Sequence, residues 1–135
     1  MSAIVPYTAV FPAGARGVLV VAKGKNRRHA RDVAKLAAEI HAREAVRVHV
    51  ASVQVQPTGY AARFLRSINL RRVLEDVGRE SMESVCQELD ALGVPYRTHV
   101  EVGPWIAGIK KLAGELGCAR VLLGSDFDAW LLRHG

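Results

Sequence analysis

The sequence predicts an α/β domain: a three-layer, doubly wound, mainly parallel sheet in the strand order 3-2-1-4. Three observations carry that expectation. Short runs rich in β-branched residues alternate with longer segments whose apolar residues recur at helical spacing. Four such strand-then-helix pairs follow one another, which argues right-handed crossovers between parallel strands. The first of the strand runs carries the unbroken apolar stretch Val18–Ala22, as a strand buried on both faces does. A chain of 135 residues, half of them hydrophobic and 24% charged, suits one domain with a core of its own. Residues 16–135 read as that domain and residues 1–15 as an N-terminal extension.

The elements follow in order. Arg16–Ala22 reads as the first strand and ends at Gly24. Asn26 can cap the helix that follows. In it Val33, Leu36, Ala37 and Ile40 make one apolar stripe for a sheet to cover. Val46–Val55 is the second strand, with Val46, Val48 and Val50 alternating and Pro57 closing it. Residues 59–70 stay ambiguous, although Tyr60, Phe64 and Ile68 share helical spacing. Asn69 can then cap a long helix from about residue 70, whose face is Leu74, Val77, Met82, Val85, Cys86, Leu89 and Leu92. Gly93 suits the left-handed position past its end. Tyr96–Val102 is the third strand, and Pro104 is placed for the first turn of the next helix. Trp105, Ile109, Leu112, Ala113 and Leu116 form that helix's buried stripe, which Gly117 ends. Arg120–Gly124 is the fourth strand. Asp126 can cap a last short helix through Trp130, Leu131 and Leu132.

Charge narrows the functional classes. Lys plus Arg is 19 and Asp plus Glu is 13, for a formal net charge of +6. The whole excess lies in the first third of the chain and is densest at Lys23, Lys25, Arg27, Arg28 and Arg31. Such a cluster suits phosphate, nucleic acid or an acidic partner, or simply a solvated helix start. No window approaches the roughly 18 apolar residues of a membrane span, and the N-terminus lacks the pattern of a secretory signal. Cys86 and Cys118 lie far apart and outside any CxxC, so they read as reduced core thiols in a cytoplasmic protein. In doubly wound sheets ligands sit beyond the carboxyl ends of the strands where the winding reverses. Here that is between the first and fourth strands, at Ala22-Lys-Gly-Lys-Asn26 and Gly124-Ser-Asp-Phe-Asp128.

Three stretches resemble the universal stress proteins, of the adenine-nucleotide alpha-hydrolase-like superfamily. They are Val18-Leu-Val-Val-Ala-Lys-Gly24 running into Ala30–Ile40, the long helix Val73–Leu92 ending Leu92-Gly-Val94, and Val100-Glu-Val-Gly-Pro104 with Ala113-Gly-Glu-Leu-Gly-Cys-Ala-Arg-Val-Leu-Leu-Gly-Ser125. The resemblance covers most of residues 17–135. It implies a stress-response or regulatory binding module, with adenine-nucleotide binding in some members, and a homodimer or protein partner. The nucleotide-binding members carry an aspartate just after the first strand, where this chain has Lys23; a carboxylate accepts hydrogen bonds and an ammonium can only donate. The family's phosphate loop after the fourth strand needs a second glycine and a distal Gly-Ser or Gly-Thr, so that backbone N–H groups can close on phosphates. Gly124-Ser-Asp-Phe-Asp-Ala-Trp130 has neither, and Asp126 and Asp128 would repel phosphate. The family's fifth strand, through which its dimers commonly pair, has no counterpart before Gly135.

The resulting expectation is a regulatory module degenerate for ATP, without catalysis beyond weak ATP hydrolysis. Two alternatives stand beside it: an adenine-nucleotide binder using the two turns, and a basic module docking on anions or nucleic acid. The candidate nucleotide- or anion-binding residues are Lys23, Gly24, Lys25, Asn26, Gly124 and Ser125. No cofactor is firm; ATP or another phosphate-containing anion is the candidate. Nucleic acid is disfavoured as a partner, since no aromatic residues interleave the basic loop. An unpaired fourth strand would be an aggregation hazard, so residues 4–11, which include Tyr7–Phe11, either pair with a sheet edge, in cis or from a second subunit, or form a loose apolar tail. His49 and His99 should lie on neighbouring strands as ordinary histidines, because no third metal ligand is spaced for them. His29, His41 and His134 read as surface positions. Ser125 lacks the flanking glycine of a nucleophile elbow. Cys86 and Cys118 read as packing residues. Met82 and Trp105 read as core, and Trp130 as a cover for the sheet end or an exposed anchor.

Overall fold

A computed structural model describes residues 5–8, 17–23, 27–55 and 70–123, together with 130, 132 and 134. The chain runs β1 (Val5–Thr8), β2 (Gly17–Val21), α1 (Arg27–Glu44), β3 (Arg47–Gln54), α2 (Leu70–Ala91), β4 (Tyr96–Val102), α3 (Trp105–Leu116) and β5 (Cys118–Leu123). The five strands form one sheet in the order β1-β5-β2-β3-β4. The four strands β5-β2-β3-β4 are mutually parallel and reproduce the predicted 3-2-1-4 order.

Every residue of β2 is buried. The reason is position, because β2 lies between β5 and β3 and has helices over both faces. Its even-numbered side chains, Val18 and Val20, join Val33, Ala37, Ile40, Met82, Val85 and Leu89 in a core beneath α1 and α2. Its odd-numbered ones, Leu19 and Val21, meet Ile109, Leu112, Ala113, Val121 and Leu132 beneath α3. The strand's period of two thus divides one apolar run between two cores. Gly17 starts the strand against β5: a Cβ there would stand 2.7 Å from the Cys118 sulfur, and only a bare backbone fits.

The helices end where glycine predicted. The Gly93 N–H bonds the Asp90 carbonyl and the Val94 N–H bonds the Leu89 carbonyl, at 3.1 and 3.0 Å, with Gly93 at φ 71°. Gly117 caps α3 at φ 68°. Pro104 sits at the N-cap of α3, with φ −60° and ψ 140°, one residue before the turn expected for it. On α2 the buried stripe is Gly78, Met82, Val85 and Leu89. Val77 and Leu92, expected on that face, are 43% and 48% exposed. Gly78 takes the place beneath the helix because it lets α2 approach Val100 of β4.

The N-terminal segment is drawn into the sheet. Val5–Thr8 pairs antiparallel with β5 within the same chain, Val5 opposite Leu123 and Thr8 opposite Arg120. The outer edge of β5 is therefore covered in cis over four residues. Residues 59–69, over which the sequence was ambiguous, lie outside the described residues.

Candidate functional site

The two strands that precede the turns singled out by the sequence end side by side. β2 and β5 are parallel neighbours with Val20 opposite Leu122, so both chains emerge at one end of the sheet, from Val21 and from Leu123. Beyond β2, the Ala22 N–H donates to the Ala51 carbonyl at 2.8 Å, which keeps the chain against β3 as far as Ala22. Lys23 is exposed. α1 opens at Arg27 with Arg27 and Arg28 exposed and no acid in its first turn. The other candidates, Gly24, Lys25, Asn26, Gly124 and Ser125, lie outside the described residues, as do Asp126 and Asp128.

His29 was expected at the surface and is instead 8% exposed. Its Nε2–H donates to the Val21 carbonyl at 3.1 Å. That bond ties the first turn of α1 to the last residue of β2, and so positions the helix start at the crevice. The position could have been flagged: His29 is adjacent to Ala30 and four residues before Val33, on the edge of the α1 stripe. The Gln54 amide donates to the hydroxyl of buried Ser52 at 2.8 Å, and the Gln54 carbonyl accepts from the Gly103 N–H at 2.9 Å. The carboxyl ends of β3 and β4 are tied together by that second bond.

His41 is half-buried, its Nδ1–H donating to the Val46 carbonyl at 2.8 Å. His134 is exposed, as expected, and stacks on half-exposed Trp130. His49 and His99 meet more closely than strand adjacency alone implied, Nδ1 of one 3.0 Å from Nε2 of the other. Burial holds His49 below the ordinary imidazole value, and His99, Arg97 and Arg47 add to the effect. Burial and then Arg97 do the same to His99. Burial raises Cys86 and pushes the Cys118 thiol up to about 12, so neither is poised as a thiolate. Among the described residues no group of three or more His, Cys, Asp or Glu could hold a metal ion. Met82 is core, whereas Trp105 is partly buried at the rim of the α3 cluster. No helix among the described residues is long and apolar enough to cross a membrane.

No protein-family model matches the sequence, and no curated protein does. Solved structures do. A protein of the universal stress protein family from Burkholderia pseudomallei superposes with a TM-score of 0.62 at 22% identity, over 91% of this chain and 92% of that one. This is the universal stress protein fold. A universal stress protein solved in complex with cAMP matches at TM-score 0.59 and 16% identity, over 80% of this chain and 75% of that one. The fold places the adjoining ends of β2 and β5 at the point where the winding reverses, where doubly wound sheets hold their ligands.

Proposed function

We propose that this chain is a stress-response regulatory binding module of the universal stress protein type. It works through protein contacts, as a homodimer or with a protein partner in the cytoplasm, and its β2–β5 crevice is degenerate for ATP. The observation that carries the reading is Lys23. At the end of β2, where the resemblance calls for a carboxylate that accepts hydrogen bonds, an exposed ammonium is followed by a helix start bearing Arg27 and Arg28 and no acid. That set favours the phosphate of a ligand and offers nothing from these side chains to accept bonds from an adenine or ribose. The second reading, an adenine-nucleotide binder, draws support from the neighbour solved with cAMP.

Calorimetry with magnesium ATP, and separately with cAMP, separates the two. The proposal expects no saturable ATP heat with a Kd tighter than about 1 mM, a free energy near −4 kcal/mol. Micromolar ATP binding that disappears in Gly24→Trp would overturn it and establish the second reading.

A further inference from the structure

At the opposite end of the sheet, the amino ends of β3 and β4 and the carboxyl end of α1 enclose a cleft of about 360 Å³. That volume lies within the roughly 300–1,000 Å³ range of small-molecule sites. Arg47, Arg97, His41 and His49 line it, with Val46 and Pro95 among its apolar walls, and no acid lines it among the described residues. The pattern follows from register. His49 pairs with Arg97, and the period of two puts Arg47 and His99 on the same face of the sheet as that pair. Arg71, Arg79, Lys111 and Arg120 each have a carboxylate partner, Glu75, Asp76, Glu101 and Glu44 respectively. Arg47 and Arg97 have no ion pair among the described residues, and both are exposed at the mouth of the cleft.

We infer that this cleft is a second binding site, for a small organic phosphate whose phosphoryl group meets Arg47 and Arg97 and whose apolar body rests on Val46 and Pro95. Two arginines lining one cleft supply the forked donors that suit a phosphate. The carboxyl end of α1 contributes roughly half a negative charge nearby, which two full positive charges outweigh. The same two arginines argue against a metal cation on the His49–His99 pair. The pair also supplies a donor. His49 Nδ1 is occupied by His99 Nε2 at 3.0 Å, so Nε2 is the ring nitrogen His49 has left for a ligand. When His99 Nε2–H donates to His49 Nδ1, the neutral His49 ring must carry its own proton on Nε2. A bound anion selects that arrangement. His99 is then a positioning residue.

The test is an NMR titration of the isotope-labelled chain with phenyl phosphate at pH 7.5, following the Arg47 and Arg97 side chains and the His49 ring nitrogens. Benzoate and the cation benzamidine serve as comparison probes. The expected result is saturable shifts at those three residues, His49 protonated on Nε2, and no response to benzamidine. Arg47→Gln with Arg97→Gln, both at exposed positions, should weaken binding at least about tenfold, the loss of two charge-assisted contacts. Lys23→Ala should leave it unchanged, so this site and the β2–β5 crevice stand or fall separately. Absence of saturable shifts, equal binding by the double variant, or tighter binding of benzoate than of phenyl phosphate would overturn the assignment.

Discussion

Gly78 is the place where one atom should reverse the effect of a helix-favouring substitution. It lies in the interior of α2, where alanine is favoured over glycine by ~0.8–1 kcal/mol. An added Cβ would stand 2.7 and 3.0 Å from the two methyls of Val100 and 3.4 Å from its Cβ. Rotating Val100 can move one methyl aside but not both, and its own Cβ stays close. Overpacking of this kind costs about 1–3 kcal/mol, so Gly78→Ala should come out destabilising by roughly 0–2 kcal/mol net. Gly114 is the control: it is in α3, exposed, and a Cβ there meets nothing within 4 Å. Gly114→Ala should therefore stabilise by about 0.5–1 kcal/mol. The assay is urea unfolding at constant m-value. In a Val100→Ala background the clash is gone and Gly78→Ala should become stabilising, a coupling of about 1–3 kcal/mol in the double-mutant cycle. If Gly78→Ala stabilises as much as Gly114→Ala, or the coupling stays within ~0.5 kcal/mol, the close approach of α2 to β4 is wrong.

Three further outcomes are expected. Deleting residues 1–12 removes β1 and bares the outer edge of β5, so the truncated chain should grow beyond the full chain's own size as concentration rises in light scattering, while the full chain's size stays constant. His49 and His99 have folded-state values below the ordinary 6.5, so the unfolded chain binds more protons and stability falls as pH drops below about 6.5. The charges that act on them are Arg47 on β3 and Arg97 on β4, and replacing both histidines with glutamine should flatten the change in urea midpoint between pH 7.5 and 5.5. Cys118 is fully buried with its thiol pushed up to about 12, so iodoacetamide should label it only as the chain unfolds, and mass spectrometry of pulse-labelled native protein should find it unmodified.

Local chemistry made much of this legible before any coordinates. The left-handed caps at Gly93 and Gly117, the start of α2 at residue 70 and the order of the four parallel strands are properties of short windows and of handed crossovers. The α2 stripe was misjudged at Val77 and Leu92 because hydrophobicity ranks valine and leucine above glycine, while close helix–sheet contact favours the residue with no side chain. His29 was misjudged for a related reason: a polar residue at a helix start reads as solvated until a carbonyl such as that of Val21 is found within reach. Of the crevice, the sequence indicated which strand ends adjoin and that Lys23 stands there, since strand order is enough for both.

By itself the sequence determined the alternation of strands and helices, the apolar faces they bury and the basic, carboxylate-poor turn after β2, because each is written in residues a few positions apart. Tertiary structure decided that β1 runs antiparallel on β5 and that His49 meets His99. It also decided that Arg47 and Arg97 open into one cleft. Those contacts join residues separated by dozens of positions. They depend on strand register, where a shift of one residue would turn every side chain to the other face.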